Sequence, residues 1–398
     1  MRKTNSSTTN KQTGSTAKKP KSTKTGQRRG LLRTLTDTVF AAFSTISVVL
    51  LWLCAVSVYI SPERLLIASV LGLAFPIALV GTLCIGVLSI IFAPRVCWIA
   101  FIGLATTFGS IRSYCPINTF KEARTPSKEA LRIMNYNTNN LSAITEEEEK
   151  RKFLMYLLDV APDIIVFQEG NPKLEQWASL NERFERRFPH HATIDSTTNL
   201  QIWSRFDILR HETVTQDGQN AAVAFWLKNP HTTGEMIVIN THLKTNFLSK
   251  SNRESYKKIV EDSRQLQTPE EEAYRQGREI MGKVANSAAT RAKMADDMAD
   301  FIRRQPSGTP VIACGDFNDT PISYAIQRLK RLPMNDAFRM VGNGPAWSFT
   351  QDAIFVRIDH QFFTNHLQPL QANIDRTATW SDHYPLIVTY EWREQPSE

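Results

Sequence analysis

Long apolar runs without a charged residue dominate the N-terminal part of the chain. Residues 38–60 contain no charged side chain over 23 positions, and residues 65–93 contain none over 29 positions. A run of about 20 apolar residues crosses the hydrocarbon core of a bilayer as a helix. Polar residues 61–64 separate the two runs, which therefore predict a transmembrane helical hairpin. A buried hairpin of a water-soluble protein is the alternative.

A third apolar run covers residues 96–111 and ends at Arg112. At 16 residues it is short for a crossing, so a re-entrant or tilted segment is the alternative to a third transmembrane helix.

Basic flanking segments stay in the cytoplasm, and residues 1–34 carry ten basic side chains and no acidic one. Three transmembrane helices in residues 35–112 predict a multi-pass protein of the cytoplasmic (inner) membrane, with everything after Arg112 extracytoplasmic. Two crossings would leave that part in the cytoplasm.

From residue 131 the pattern changes to short apolar runs between amphipathic, charged segments. The runs predict strands at residues 131–134, 163–167, 200–203, 221–227, 236–240, 311–314, 353–356, 361–363 and 386–390. The amphipathic segments predict helices at residues 146–158, 174–188, 322–332 and through most of 246–304. Strands outnumber helices and helices intervene between pairs of strands, as in a layered α/β domain. We place this domain at residues 131–394, after a proline-containing linker at residues 113–130.

The positive charge of the chain belongs to its first residues. The sequence has 47 Lys and Arg against 39 Asp and Glu, and removing the ten basic residues of 1–34 leaves 37 against 39. The near-neutral remainder lacks the basic surface typical of nucleic-acid-binding proteins. Residues 1–34 have few large apolar side chains, so we expect a disordered cytoplasmic tail. The five cysteines have no spacing that indicates a disulfide framework or a metal site.

Polar side chains that could bind a metal ion or take part in catalysis lie at the ends of the predicted strands. They are Asn137, Glu169, His242, Asp316, Asn318, Asp359, Asp382 and His383. If these ends converge, the oxygen ligands suit Mg²⁺ or Mn²⁺, and Asn137 with Glu169 fits such a site. Asp316 can orient a water or accept a proton, and Asn318 can donate to a phosphate oxygen. Each residue also has a structural interpretation, such as an Asp-Asn turn or, for His242, a structural histidine.

Seven short motifs follow one another between residues 131 and 392. They are Asn135-Tyr136-Asn137, Phe167-Gln168-Glu169, Ser204-Arg205, Asn240-Thr241-His242-Leu243, Gly315-Asp316-Phe317-Asn318, Arg357-Ile358-Asp359-His360 and Ser381-Asp382-His383-Tyr384-Pro385. Their order resembles that of the endonuclease/exonuclease/phosphatase superfamily. The helical N-terminal region is similar to that of membrane-anchored members from Bacteroidetes-type bacteria.

The resemblance implies a DNase I-like fold, a four-layered α/β/β/α sandwich, as the catalytic domain. It also implies Mg²⁺-dependent (or Mn²⁺-dependent) hydrolysis of phosphoester bonds. Asn137 and Glu169 would then lie at the metal, and Asp382 would contribute to metal binding.

The same resemblance implies roles for the remaining site residues. His242 and Asn318 would contact the scissile phosphate. Asp316 would orient or deprotonate the attacking water. His383, oriented by Asp359, would stabilise phosphate charge or transfer a proton.

Two segments depart from the family pattern and bear on the substrate. Residues 200–203 read Leu-Gln-Ile-Trp where many members have a Gly-led, more apolar run, and the charged insert 244–291 is absent from compact nucleases. The near-neutral body and the predicted anchor favour a phosphodiester or phosphomonoester close to the bilayer, such as a lipid headgroup. An extracytoplasmic nuclease and a non-catalytic, membrane-tethered binding module are the alternatives. The expected partners are the lipid bilayer and the phosphoester substrate, without an obligate protein partner.

Overall fold

Two six-stranded mixed sheets lie face to face in the computed structural model, which describes residues 24–119, 124–195, 197–246, 270–351 and 354–393. The strands are β1 Leu131–Asn137, β2 Ile164–Gln168, β3 His190–Thr193, β4 Gln201–Ser204, β5 Ile208–Asp217, β6 Asn220–Lys228, β7 Glu235–His242, β8 Val311–Asp316, β9 Met334–Asp336, β10 Phe349–Gln351, β11 Ile354–Val356, β12 Asp359–Thr364, β13 Leu367–Ile374 and β14 Leu386–Trp392. The helices are α1 Lys24–Ser57, α2 Ile67–Phe92, α3 Trp98–Thr106, α4 Phe108–Tyr114, α5 Glu147–Val160, α6 Lys173–Ser179, α7 Glu182–Arg187, α8 Glu270–Arg303, α9 Tyr324–Lys330 and α10 Ala337–Val341.

The sheets have similar internal arrangements. The first has the order β13-β14-β1-β2-β4-β3 and the second the order β5-β6-β7-β8-β12-β9, while β10 and β11 form a separate two-stranded ribbon. Each six-stranded sheet contains one parallel pair, β1 with β2 and β7 with β8. The carboxyl ends of these parallel pairs define the edge of the sandwich at which the polar strand-end residues lie.

Alternating side chains fill three apolar layers. Ile133 of the first sheet and Val238 of the second belong to the core between the sheets. Phe167 packs on the outer side of the first sheet with residues of α5, α6 and α7. Ala313 packs on the outer side of the second sheet with residues of α8 and α9. Because both faces of each sheet are covered, the central strands are apolar on both sides. The predicted α/β/β/α sandwich is therefore confirmed.

The first two helices form an antiparallel hairpin. The Phe40 and Phe92 rings are 6.1 Å apart near one end, and the Ser44 and Ser89 hydroxyls are 3.4 Å apart further along. Within the described residues, Gly30–Ser57 and Ile67–Phe92 are the helices long and apolar enough to cross a membrane, each with a mean hydropathy of 2.4. The chain turns between them at residues 61–64, as predicted.

The third apolar segment is divided between α3 and α4. The Thr107 hydroxyl donates to the Gly103 carbonyl oxygen at 2.8 Å, a side-chain bond that competes with the helix ladder and bends it. The segment nevertheless runs the length of the hairpin, since Trp52 donates to the Thr106 hydroxyl at 2.8 Å and the Tyr114 ring lies 6.1 Å from the Phe75 ring. It therefore returns to the end of the hairpin where α1 stops and α2 begins.

Several expectations from the sequence need correction. Helix α1 begins at Lys24, so residues 24–34 are helical and not disordered, while the rest of the predicted tail lies outside the described residues. The helix predicted at 174–188 is two helices, because the Asn181 side chain accepts from the Arg183 and Phe184 amides and starts α7. Helix α8 accounts for the described part of the 246–304 prediction, and residues 247–269 lie outside it.

Five strands were not predicted, namely β3, β5, β9, β10 and β13. Strand β5 is largely exposed at the edge of its sheet, and β9 and β10 have three residues each. Such strands carry little alternation of apolar and polar residues and are held by pairing with their neighbours.

The predicted linker is partly built into the sandwich. Asn118 donates from its amide nitrogen to the Gly342 carbonyl at 2.6 Å and from its backbone to the Asn343 side chain at 2.6 Å. The Arg357 guanidinium, which is 2% exposed, donates to the Ser113 carbonyl at the end of α4 at 2.7 Å. These bonds attach the helical region firmly to the sandwich.

Candidate active site

Strand pairing brings the predicted site residues to one edge of the sandwich. Asn137 lies opposite Gln168 at the ends of the parallel strands β1 and β2. His242 lies opposite Asp316 at the ends of β7 and β8. Strand β12 runs antiparallel to β8, so its first residue, Asp359, also lies opposite Asp316. A strand end is a rigid support for a polar side chain.

A buried layer of amide side chains connects the two sheets behind this edge. Gln168 donates to the Asn240 side-chain oxygen at 2.6 Å, and Asn240 donates to the Phe167 carbonyl at 3.0 Å. Gln361 donates to the Asn135 side-chain oxygen at 3.0 Å. Buried amides that find such partners hold their strands in one relative position. The layer therefore fixes the spacing between site residues of the first and second sheets.

The backbone is unusual at three site positions. Gly315 has φ +137°, and a Cβ there would lie 2.1 Å from the Thr241 carbonyl oxygen, so β8 approaches β7 closely at this point. Glu169 and Asn318 adopt left-handed conformations with φ of 47° and 51°. Non-glycine residues rarely adopt such φ values, and they are concentrated at functional sites.

The Asp316 carboxylate is at the centre of the cluster and is 1% exposed. The Asn137 side-chain amide donates to Asp316 Oδ2 at 3.0 Å and to Glu169 Oε1 at 3.2 Å. The Asn318 backbone amide donates to Asp316 Oδ1 at 2.8 Å. Burial raises the pKa of Asp316, against the opposing effect of the nearby His383. The carboxylate is thereby made more basic than an exposed aspartate.

His383 and Asp359 form a hydrogen-bonded pair. His383 Nδ1 lies 2.9 Å from Asp359 Oδ2, and its Nε2 lies 3.7 Å from Asp316 Oδ2. Burial alone would lower the pKa of His383, but the Asp359 and Asp316 carboxylates outweigh it and raise the pKa to about 10. The Ser348 hydroxyl accepts from the Asp359 backbone amide at 3.1 Å and holds that residue in place. The ring is therefore an imidazolium at neutral pH.

His242 has the opposite character. Its ring is 3% exposed, and neither ring nitrogen has a hydrogen-bond partner among the described residues. Nε2 lies 3.7 Å from Glu169 Oε1 and 3.8 Å from Asp316 Oδ2, distances too long for a direct hydrogen bond. Burial lowers the pKa of His242, so the ring is neutral. A buried donor without a partner, between two carboxylates, fits a ligand or water oxygen.

The site can also accommodate a divalent cation. Glu169, Asp316 and Asp382 line one cavity, and neither Glu169 nor Asp382 has a Lys or Arg as an ion-pair partner within the described residues. Carboxylates without a Lys or Arg partner suit an oxygen-liganded cation such as Mg²⁺. Donor atoms of Asp316, Asp359 and His383 also lie within 4.8 Å of one another. We assign that second group to hydrogen bonding, because the raised pKa of His383 favours the charged ring, which has no lone pair for a metal ion.

All eight predicted residues lie at this edge. Asp382 is the least connected: its side-chain Oδ1 lies 3.3 Å from the Ser381 hydroxyl, and its carbonyl accepts from the Thr350 amide at 3.3 Å. The Ser381 hydroxyl also contacts the Asn137 carbonyl at 2.8 Å, which joins the loop of His383 to β1. Asp382 thus reaches the site as part of the cavity wall.

One wall of the cavity was not foreseen from the sequence. The cavity has a volume of about 500 Å³, and its lining includes Leu73 of α2 together with Ile280, Val284 and Arg291 of α8. The Arg291 guanidinium is buried and donates to Asp319 Oδ2 at 3.2 Å. These residues belong to an apolar helix and to the charged insert, and no motif spacing marks them.

Comparisons with known proteins identify the family of the chain. The family model described as "Endonuclease/Exonuclease/phosphatase family" matches residues 134–383, more than half of the chain. A second, described as "Domain of unknown function (DUF8431)", matches residues 37–114. A search of the curated proteins by sequence returned no match.

Several solved structures are similar to the sandwich. The human Nocturnin catalytic domain with bound sulfate anion has a TM-score of 0.47 at 16% identity, covering 68% of this chain and 97% of that chain. D. rerio TDP2 complexed with single strand DNA product has a TM-score of 0.48 at 14% identity, covering 66% and 99%. The 3' phosphatase NExo from Neisseria, bound to a product DNA hairpin, has a TM-score of 0.46 at 17% identity, covering 66% and 100%.

Proposed function

Because the chain belongs to the Endonuclease/Exonuclease/phosphatase family and is a hydrolase of phosphoester bonds, we propose that it is a membrane-anchored, Mg²⁺-dependent phosphoesterase with its site outside the cytoplasm. One observation carries this proposal. A buried Asp316 carboxylate stands between a charged His383 and a neutral His242, at 3.7 and 3.8 Å. Phosphoryl transfer needs such an arrangement of one base and separate donors for phosphate oxygens.

Asp316 orients the attacking water and accepts its proton. Two amides, from Asn137 and Asn318, leave its carboxylate in one orientation. Its raised pKa brings its basicity closer to neutral pH, where general base catalysis is most effective. His242, which lacks a partner among the described residues, donates to an oxygen of the scissile phosphate.

His383 supplies positive charge to the phosphate during the reaction. Its bond to Asp359 keeps the ring charged and directs Nε2 towards Asp316 and the space next to it. A fixed charge of this kind favours the transition state because it needs no reorganisation when charge develops.

Asn137, Glu169 and Asp382 would hold the metal ion, with Mn²⁺ as an alternative to Mg²⁺. When bound, the ion neutralises charge on the phosphate oxygens. Glu169 and Asp382 line the cavity without a Lys or Arg partner among the described residues, which supports this assignment.

Hydrolysis of bis(4-nitrophenyl) phosphate by the full chain in detergent tests the proposal. We expect turnover with Mg²⁺, loss of turnover with a chelator, and recovery on adding Mg²⁺ back. Glu169→Gln and His383→Gln should each lower kcat/KM by about 100-fold or more. Exposed residues of the same types provide the controls Glu182→Gln and His211→Gln, which should retain wild-type rates. Unchanged turnover in both site variants would refute the assignment, and a wild-type protein that binds the ester without cleaving it would favour a binding module.

The extracytoplasmic position rests on charge and on the path of the helices. The basic N-terminal segment precedes α1, and such segments remain cytoplasmic. The Tyr114–Phe75 contact puts the end of α4 at the far end of the hairpin, where the sandwich begins. This path supports three crossings.

Reporter fusions at the C-terminus test the topology. Alkaline phosphatase folds to an active enzyme only outside the cytosol, whereas exported green fluorescent protein stays dark. We expect an active phosphatase fusion and a dark fluorescent one. The reverse pair of results would mean two crossings and a cytoplasmic enzyme.

A further inference from the structure

The cavity at the site combines a reactive wall with an apolar one. Asp316, which is nearly fully buried, lines it together with Leu73, Ile280 and Val284. Its volume of about 500 Å³ lies in the range of small-molecule sites. On this wall Arg291 is engaged by Asp319 at 3.2 Å, and the side chains of Leu73, Ile280 and Val284 offer no polar group to a sugar or a base. It offers contact to an alkyl chain attached to the phosphoester.

Helix α2 is a fixed wall of this cavity. A Cβ on Gly72 would lie 2.6 Å from the Ile322 carbonyl oxygen, so the helix backbone touches the loop that follows β8. Ile322 is buried with Phe75 and Leu79 of the same helix. Helix α2 also packs against α8, which supplies the other apolar residues. The position of Leu73 is thus set by close contacts on two sides.

The depth of Leu73 matches the surface of a bilayer. Helix α2 has 26 residues, or about 39 Å at 1.5 Å per residue, against a hydrocarbon core of roughly 30 Å. The ion pair between Arg95 and Asp37, at 3.6 Å, marks a polar boundary at its C-terminal end. The excess of about 9 Å then lies at the N-terminal end, and Leu73 is six residues, again about 9 Å, after Ile67. In a bilayer crossed by α2, as proposed above, Leu73 would therefore lie at the boundary between hydrocarbon and headgroups.

We propose that the substrate is a lipid phosphoester of the bilayer, bound with its phosphate at Asp316 and His383 and its alkyl chain against Leu73, Ile280 and Val284. The inference rests on the proposed phosphoesterase function and adds the substrate class. In the reaction a water oxygen bonds to phosphorus, one P–O ester bond breaks, and the proton of the water ends on the departing alcohol. Water is the only co-reactant. The near-neutral body, with 37 basic against 39 acidic residues after the first 34, offers little attraction to a nucleic acid.

The test uses the full chain in lipid nanodiscs with Mg²⁺ and two phosphodiesters, 4-nitrophenyl methyl phosphate and 4-nitrophenyl octyl phosphate. The readout is the ratio of kcat/KM for the octyl ester to that for the methyl ester. We expect a ratio of about 50 or more, since each buried methylene group strengthens binding roughly four-fold. Leu73→Ala and Val284→Ala should each lower this ratio about five-fold or more. A ratio is insensitive to partial unfolding, which lowers both rates together.

Matched controls separate the effect of the cavity on this ratio from the effect of the bilayer. Leu83 is the control for Leu73, because it lies on the same helix and is 44% exposed against 38% for Leu73. Met281, which follows Ile280 on α8, is the control for that helix. Neither lines the cavity. Leu83→Ala and Met281→Ala should keep the wild-type ratio, because partitioning of the octyl ester into the nanodisc is the same for every variant.

The outcomes distinguish the two proposals. No turnover of either ester would overturn the phosphoesterase function, and the lipid substrate with it. Turnover of both esters with the same ratio in the wild type, Leu73→Ala and Val284→Ala would overturn the lipid substrate alone. Efficient plasmid nicking without an octyl preference would do the same in favour of a nuclease.

Discussion

Replacing Asp359 by Asn should move the alkaline limit of activity to lower pH. Asp359 is 1% exposed, and its Oδ2 lies 2.9 Å from His383 Nδ1. An amide of the same shape keeps the space filled but removes the negative charge that faces the ring. The substitution therefore tests the electrostatic part of the contact with little change in packing.

The size of the change expected in Asp359→Asn follows from the pKa shift of His383. Its pKa rises from an ordinary 6.5 to about 10, which corresponds to about 5 kcal/mol in favour of the charged ring at 1.36 kcal/mol per pH unit. Asp359 contributes both its charge and its hydrogen bond, and Asp316 contributes charge from 3.7 Å. Burial opposes the charged ring, and Asp359 is the largest of the causes that raise the pKa, so removing its charge should lower the His383 pKa by about two pH units or more.

The raised pKa of His383 determines the direction of the pH dependence. The imidazolium is present below a pH of about 10 and is lost as the pH rises through that value. In Asp359→Asn the loss should occur near pH 8, so that at pH 9 the charged fraction falls from about nine-tenths to about one-tenth. The stabilisation of the fold by this group has the same sign: it is full below pH 6.5 and disappears on going to pH 10.

The assay is the pH profile of kcat/KM for bis(4-nitrophenyl) phosphate at saturating Mg²⁺, for the wild type and Asp359→Asn. Asp163→Asn is the matched control, because Asp163 is 5% exposed and its ion pair with Arg205 lies away from the cavity. This control should lose stability and keep the wild-type profile. An alkaline limb that stays within half a pH unit in Asp359→Asn would refute the assignment of the charged group to His383.

Three further predictions concern the fold around the site. Gly315→Ala should lower the free energy of unfolding by about 3 kcal/mol or more, because a Cβ at φ +137° would lie 2.1 Å from the Thr241 carbonyl oxygen. Thermal unfolding in detergent measures this loss. Burial lowers the pKa of His360 to about 4, so the free energy of unfolding should fall by about 3 kcal/mol as the pH drops from 6.5 to 4, and His360→Gln should abolish this slope. Arg357→Met removes the 2.7 Å bond to the end of α4 and should cost about 2 kcal/mol, with faster hydrogen exchange in residues 113–118; unchanged exchange would contradict the proposed attachment.

Prediction from the sequence succeeded where a short stretch carries the information. The strand of Val311–Cys314 and the polar end at Asp316 are adjacent in the chain, so apolar periodicity and strand-end position sufficed to find them. The same holds for Asn137 and His242, which end β1 and β7. The order of such ends also indicated the family, since each motif can be read without knowing its neighbours in space.

Prediction failed where a partner distant in sequence decides the structure. Strand β5 is a strand because β6 pairs with it along its length, although its own side chains are mostly exposed. The amide layer of Gln168, Asn240 and Gln361 depends on two sheets meeting, and the sequence shows it only as polar residues in apolar runs. Hydrogen bonds across such distances leave no local pattern.

The charges of the two site histidines also show which properties the sequence determines and which depend on the tertiary structure. The sequence by itself determined that His242 ends one strand-like run and that His383, next to Asp382, comes just before another. The tertiary structure decided that His383 is charged, because Asp359 and Asp316 surround it, and that His242 is neutral, because burial acts on it with little compensation. It also decided that Leu73 of an N-terminal apolar helix lines the cavity of a site that begins at Asn137. Burial, ionisation and cavity shape all depend on atoms brought together from distant parts of the chain, so only the folded molecule determines them.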